Sequence, residues 1–599
     1  MVTVPADFAA NARRALLDAR TDAGHWVGEL SASALSTATA LFTLWRHQLA
    51  TGTSHRGRID AGLAWLAATQ NADGGFGDTV KSVSNVSTTA LCWAAFAADE
   101  SGRHAAAEAR AGDWLTRHTG SLDAGPLSAA IVAIYGKDRT FSVPILTMLA
   151  VAGKLGPDGW RLVPQLPFEM AACPFWVFEW VQLPVVSYAL PALIAIGRVR
   201  HHHRPTRFVP WRCLRNAVAA RTLRKLREIQ PTTGGYLEAT PLTSFVGMAL
   251  IDAGLATQEV VSEGVRFLEE SQRPDGSWPI DTDLSTWATT LSINALPPDA
   301  LTPAERATLR DWLLAQQYRE THPYTHAAPG GWAWTPLPGG VPDADDTAGA
   351  LLALHRLGRH DELGRYDSRV HDAGGWGCHW LFDLQNRDGG VPTFCRGWTG
   401  LPFDRSSNDL TAHAILAWAA WEPRAYPPEL SFTYAAITDG LRHLMRTQRP
   451  DGSWAPLWFG NQHSPDPTDI HNLTYGTSRV LRLRATAWVE RIVPEFGAAL
   501  DRAQAWLEAN QNPDGGWGGR LGTPSTIEET ALACEAWPNE RGMAWLVAAT
   551  KNGTHFPPSP IGFYFANLWY FEALYPVIYV NAAITAATES AAPRVSSPS

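Results

Sequence analysis

Apolar positions along this chain fall at helical spacing, and strand-like alternation is nowhere sustained. Stretches such as GLAWLAATQ, GVRFLEESQ, GLRHLMRTQ and AQAWLEANQ end in Leu or Trp and close on a glutamine. Each glutamine opens a near copy of one turn: Gln70-Asn-Ala-Asp-Gly-Gly-Phe76, Gln272-Arg-Pro-Asp-Gly-Ser-Trp278, Gln448-Arg-Pro-Asp-Gly-Ser-Trp454 and Gln511-Asn-Pro-Asp-Gly-Gly-Trp517. Weaker relatives run from Gln230 to Tyr236, from Gln385 to Val391 and, with a longer loop, from Gln317 to Trp332. Asp-Gly and Gly-Gly supply the tight turn and positive φ that end a helix, so the aromatic can fold back beneath it while the Gln amide ties the next turn. Helix–turn–helix units that cannot bury their apolar faces alone must stack, and closing the stack makes a barrel of paired helices. Because the repeats extend across most of the chain, the pattern predicts an all-α protein of two α/α-barrel domains.

One segment breaks the pattern. Leu166–Gly197 is apolar and aromatic, then turns basic at Arg198-Val-Arg-His-His-His-Arg204. Pro174, Pro184 and Pro191, with Glu179 near its middle, make it a poor transmembrane helix, which wants about 20 uninterrupted apolar residues. Aromatics beside a basic flank fit an interfacial, monotopic anchor around Phe175, Trp176, Phe178, Trp180 and Leu183; the competing reading is a buried helix of the first barrel. The three histidines read as a solvated tail. The region Phe556–Tyr579 is crowded with aromatics, a stripe that usually means core.

Composition narrows the function. The 599 residues exceed one ordinary core, and 27 of them are Trp while only 18% are charged, more indole than packing alone demands. A net charge of −9 argues against nucleic acid as the partner. The scattered cysteines Cys92, Cys173, Cys213, Cys378, Cys395 and Cys534 form no CxxC, which fits reduced thiols in a cytosolic compartment. The N-terminus, MVTVPADFAANARRALLDAR, is amphipathic without an apolar signal core.

The candidate chemistry lies in Val341-Pro342-Asp343-Ala344-Asp345-Asp346-Thr347-Ala348. Like charges this close in a dry site resist ionising together, so at least one of Asp343, Asp345 and Asp346 keeps its proton at neutral pH and can act as a Brønsted acid. The plain alternative is a helix start, with Asp346 or Thr347 as the cap. Downstream, Ser407-Asn408-Asp409-Leu410-Thr411-Ala412-His413 places Asp409 and His413 four apart on one helix face. An imidazolium bonded to one oxygen of a carboxylic acid makes the remaining proton easier to lose.

The Asp343-Ala344-Asp345-Asp346 tetrad, the repeated Gln…Trp turns and the Asp409…His413 pair together resemble the squalene–hopene cyclases, the DxDD class II terpene cyclases. The resemblance implies an N-terminal segment 1–20 on the second barrel, a first α-barrel over 21–282 with an apolar plateau at 166–197, a catalytic α-barrel over 283–587, and a disordered tail at 588–599. It implies that Asp345 donates the proton, flanked by Asp343 and Asp346, with His413 and Asp409 supporting it. It assigns Trp287, Trp334, Phe394, Trp458, Tyr475, Phe556 and Tyr564 to an aromatic substrate cavity. Attachment to one membrane leaflet, on the inner face of the cell membrane from the cytoplasmic side, follows from the same resemblance, with homodimerisation left open. No cofactor or metal is implied, with Mg²⁺ needed only for a diphosphate substrate.

The chemistry of the residues agrees with this. Protonating an unactivated alkene needs more than a lone solvated carboxylic acid, and the carbocation must then be kept from water. Aromatic faces attract a cation by roughly 0.5–2 kcal/mol without offering a nucleophile. The chain departs from the family at Leu35-Ser36-Thr37-Ala38 and Ser87-Thr-Thr-Ala-Leu91, where terminating acids are expected, and at Gly234–Pro241 and Asn461–Asn472. The predicted activity is therefore cyclisation of a squalene-like C30 hydrocarbon with a different terminal step. One alternative is a prenyl diphosphate or other polyprenyl substrate, for which Arg396 and Arg405 are the suggestive cations. The other is a non-catalytic isoprenoid-binding protein of the same fold.

Overall fold

The computed structural model describes residues 2–136, 139–180, 189–358, 367–396, 402–421, 432–466, 468–486, 489–563 and 568–591. It is 59% helix and 4% strand, and the helices close into two rings. In the first, the inner helices Ala34–Thr51, Val86–Ala95, Ser142–Val151, Leu190–His203 and Thr240–Leu250 each touch the next, and the last returns to the first. In the second, Ser285–Ala295, Ala344–Leu357, Asn408–Trp421, Leu473–Leu481, Ile527–Ala536 and Tyr575–Ala591 close in the same way. The amphipathic helix Ala6–Asp18 packs its Phe8, Ala12 and Leu16 inward and lies against Tyr575–Ala591.

The glutamine turns are the fasteners. Each Gln side-chain amide donates to the glycine carbonyl of its own turn and to the start of the neighbouring outer helix: Gln70 to Gly74 (2.8 Å) and Ala107 (3.0 Å), Gln385 to Gly389 (2.7 Å) and Ala436 (2.9 Å), Gln448 to Gly452 (2.9 Å) and Ala499 (2.8 Å). Gln317 and Gln230, in the weaker copies, do the same. Gln272 reaches back to Arg58 O (3.0 Å), which joins the end of the first ring to its beginning. The turn aromatics fold under their helices, and the indoles of Trp278, Trp454 and Trp517 donate to Leu268, Leu444 and Leu507 carbonyls at 2.7, 2.8 and 2.9 Å. All three rings are fully buried, and each of their indole N–H groups is paired.

Two short strands, Ala32–Ser33 and Trp278–Pro279, pair antiparallel and bring the first inner helix beside the end of the first ring. Around the predicted anchor, a 3₁₀ turn Phe168–Ala172 leads to the helix Phe175–Trp180, and Leu183 lies outside the described residues. Trp176 and Trp180 are 66% and 81% exposed, which the buried-helix reading did not anticipate. Among the described residues no helix is long and apolar enough to cross a membrane. His203 is no solvated tail residue, since it stacks on Trp160 (4.4 Å) and bonds Asp252 (2.6 Å). The C-terminal helix runs to Ala591, past the predicted ordered end at 587, because Ala-Ala-Thr-Glu-Ser-Ala carries no helix breaker. Among the described residues every cysteine is a free thiol.

Candidate active site

Asp343 caps the inner helix Ala344–Leu357. Its carboxylate accepts from the backbone N–H of Asp345 and of Asp346, both at 2.9 Å, so the cap lies three residues before the predicted Asp346. The shift has a local cause: Trp332 O takes the Asp343 N–H at 3.0 Å and Thr347 returns its hydroxyl to the same turn, which fixes where the helix begins. Asp343 and Asp346 are buried and bonded to each other, and burial pushes Asp343 up to about 7 and Asp346 well above the usual carboxylate range. Asp346 is therefore the member that holds a proton, which it gives in a hydrogen bond to Asp343.

Asp345 points the other way, into the ring. Its Oδ1 sits 2.5 Å from His413 Nδ1, on the next inner helix. Asp409 does not touch this pair directly. Its Oδ1 accepts from the Ser407 hydroxyl and from Leu457 N (3.3 Å), and burial raises it to about 6. A pocket of ≈ 30 Å³ joins Asp345, His413 and Asp409 to Trp287, Tyr475, Arg479 and Arg482. That is room for a water or two among polar partners.

The aromatic candidates fall into groups. Trp287 donates its indole N–H to the Tyr575 hydroxyl at 2.9 Å and lines the acid pocket. Trp334 and Phe394 meet edge to face at 6.4 Å, and the buried Trp334 N–H has no hydrogen-bond partner. Trp458 donates to Thr393 Oγ1 at 2.7 Å, and Thr393 O in turn accepts from Ala344 N beside the donor. Tyr475 stacks on Phe459 at 3.7 Å and faces the acid pocket. Phe556 is half-buried, and no described contact links it to the acids; Tyr564 lies outside the described residues.

The pocket also holds groups that sequence reasoning missed. Arg479 and Arg482 line it, both engaged with Glu535 at 3.7 and 3.1 Å, and the Arg479 guanidinium lies over the rings of Tyr475 (5.1 Å) and Tyr579 (5.3 Å). The signal was available, since Arg479 stands four after Tyr475 and one helical turn separates them. Arg396 and Arg405, the pair suggested from sequence, are exposed instead. Among the described residues no cluster of His, Cys, Asp and Glu is arranged to hold a metal ion.

Comparison with known proteins covers both rings. The family model described as Squalene-hopene cyclase N-terminal domain matches residues 9–212, and the Squalene-hopene cyclase C-terminal domain matches residues 284–555. Among curated relatives, a squalene–hopene cyclase of Bradyrhizobium diazoefficiens is 25% identical over 88% of this chain and 84% of its own length. Enfumafungin synthase of Hormonema carpetanum is 24% identical over 91% of this chain, a match that spans only 45% of that longer protein. Drimenyl diphosphate synthase of Streptomyces showdoensis is 26% identical over 72% of this chain and 70% of its own. With its two halves matched in order by the two domains of one family, the chain belongs to the squalene-hopene cyclase family of terpene cyclases, as a divergent member.

Proposed function

We propose that this enzyme starts a cyclisation by protonating a terminal alkene of a squalene-like C30 isoprenoid, with Asp345 as the acid. The observation that carries the reading is the 2.5 Å contact between Asp345 and His413, which links two adjacent inner helices. His413 holds one carboxyl oxygen and leaves the other to carry the proton toward the lumen. As the new C–H bond forms, the alkene becomes a carbocation and Asp345 a carboxylate, stabilised in place by the imidazole. Trp287, Trp334, Phe394, Trp458 and Tyr475 then face the cation with π-systems rather than lone-pair nucleophiles. Water kept out of such a chamber cannot quench the cascade early.

The test is mass analysis of products after incubation with squalene, epoxysqualene and C15–C35 prenyl compounds. Cyclic C30 products carry the reading. No conversion of any of them, with the protein folded, favours the isoprenoid-binding alternative. A second reading, a prenyl diphosphate substrate, is favoured by the similarity to drimenyl diphosphate synthase and by Arg479 and Arg482 in the acid pocket. Turnover abolished by EDTA supports that version, because a diphosphate is held through Mg²⁺, while a hydrocarbon needs no metal.

The substrate's solubility argues for a membrane source. The exposed Trp176 and Trp180 adjoin exposed Met170, Phe208 and Trp211, and Arg215 is anchored beside them by Glu169 at 3.0 Å. An exposed apolar, aromatic face of this kind is what a protein docked on one leaflet presents.

A further inference from the structure

A cyclisation that begins with a proton gained must end with a charge removed, and aromatic rings that stabilise a cation accept no proton. We propose that the paired carboxyl groups of Glu238 and Asp281 receive the proton that the last carbocation gives up, ending the reaction that Asp345 begins. The inference rests on the cyclase reading above and adds to it the residues of the terminal step.

The two acids are brought together by backbone pairing. Ala239 and Asp281 face each other in an antiparallel bridge, and Thr240 N donates to Ile280 O at 2.9 Å. Each carboxyl is anchored through one oxygen only. Glu238 Oε1 accepts from Gly339 N and from the Thr233 hydroxyl, both at 2.8 Å, and Asp281 Oδ1 accepts from Asp283 N at 3.3 Å. Glu238 Oε2 and Asp281 Oδ2 are buried and bonded to nothing, as are the hydroxyls of Thr240 and Thr286. Among the described residues neither acid forms an ion pair. Buried carboxyl oxygens without partners weaken a fold, so their retention calls for a use.

Their surroundings indicate which use. An apolar cavity of ≈ 70 Å³ lies against Leu237, Ala239 and Ile280, the immediate neighbours of the two acids, and is lined also by Phe245 and Leu568. Two residues on from Leu568, Tyr570 lies within electrostatic reach of both Asp345 and Asp281. Asp283, beside the pair, accepts the Thr335 hydroxyl at 2.8 Å, next to Trp334, whose carbonyl takes the N–H groups of Thr286 and Trp287. The acid pair thus stands across the Trp334 segment from the donor helix.

Burial and the neighbouring Asp283 raise Glu238 to about 7 and Asp281 well above the carboxylate range. Glu238 is then partly ionised near neutrality and has the proton affinity of a useful base, while Asp281 holds its proton beside it. In the step, a C–H bond next to the cationic carbon breaks, its electron pair becomes the π bond of the product, and the proton passes to Glu238. The substrate gains one proton and loses one, so no co-reactant enters; before the next turnover Glu238 gives its proton to solvent and Asp345 takes one back from solvent.

The test compares wild type, Glu238→Gln, Asp281→Asn and Thr233→Val with squalene as probe, reading each product as a fraction of squalene consumed. The carboxamide variants are expected to shift the ratio of the main alkene to isomeric, water-quenched or incompletely cyclised products at least tenfold. Thr233→Val, at a half-exposed position, keeps both carboxyls but removes one of the two hydrogen bonds on Glu238 Oε1, leaving that from Gly339 N, and moves the ratio the same way by a smaller factor. It serves if a core variant fails to fold. Unchanged product ratios in the folded variants overturn the inference while leaving the cyclase reading standing. So does complete loss of squalene consumption in folded Glu238→Gln, because a terminal base acts after the first ring has closed. Absence of any turnover by wild type overturns both readings together.

Discussion

His413 Nδ1 and Asp345 Oδ1 are 2.5 Å apart although 68 residues separate them in the chain. The contact depends on two inner helices lying side by side, and on Gly349 leaving the space between them open. A Cβ at Gly349 would stand 3.1 Å from Thr290 Oγ1, a tight contact, and 3.6 Å from His413 Cε1, an ordinary one.

Asp345→Asn removes the transferable proton and keeps the shape. Turnover is expected to fall by at least 10²–10⁴-fold, the range of general acid catalysis, with an unchanged helical circular dichroism spectrum. Activity within threefold of wild type would take Asp345 out of the chemistry.

Trp334→Ala withdraws a ring from the chamber wall. With a cation–π contribution of about 0.5–2 kcal/mol, partitioning among products should change by roughly twofold to thirtyfold, read by gas chromatography of the extract. Trp334→Phe, which keeps a π face, should change it less.

Gln272→Ala cuts the amide that joins the two ends of the first ring, with its bonds to Arg58 O (3.0 Å) and Gly276 O (3.2 Å). The expected loss is about 1–3 kcal/mol, because buried carbonyls are left without partners, and a lowered Tm measures it.

Stability should fall as pH rises from 5 to 8. Burial lifts Glu528 to about 7, Glu529 to about 8 and Glu572 to about 7 from an ordinary 4.5. Their folded values exceed their unfolded ones, so they bind protons more tightly when folded. That contribution is complete below about pH 4.5 and is lost as pH climbs through 7 to 8. Thermal melts across this window check it, and Glu529→Gln should flatten the curve.

Trp176→Ser with Trp180→Ser removes the two most outward rings of the exposed face. Co-sedimentation with liposomes should drop severalfold while the Tm holds, since neither ring is buried. Unchanged co-sedimentation would detach this face from membrane binding.

The fold was legible because its determinants are local. A Gln, an Asp-Gly or Gly-Gly step and an aromatic are close enough in sequence to specify a turn, and seven such turns demand stacking. Asp345 and His413 were legible by type and spacing, yet the helix cap lies at Asp343 and not at Asp346 or Thr347, because the bond from Asp343 N to Trp332 O closes a loop that periodicity does not describe. The exposure of Trp176 and Trp180 was open between two readings, since apolar composition does not say which side of a helix meets solvent.

The sequence by itself determined the repeats and the helical class, and it singled out Asp345 and His413 as the candidate acid and imidazole, all carried by residues near one another or by side-chain chemistry alone. Only the tertiary structure decided that Gln272 closes a ring on Arg58, that Arg479 enters the pocket of Asp345, and that the Ala239–Asp281 bridge brings Glu238 and Asp281, each with an orphaned oxygen, to one place. Those relationships depend on which helices become neighbours, and on what burial does to a carboxyl once water is gone; no short window of residues contains either.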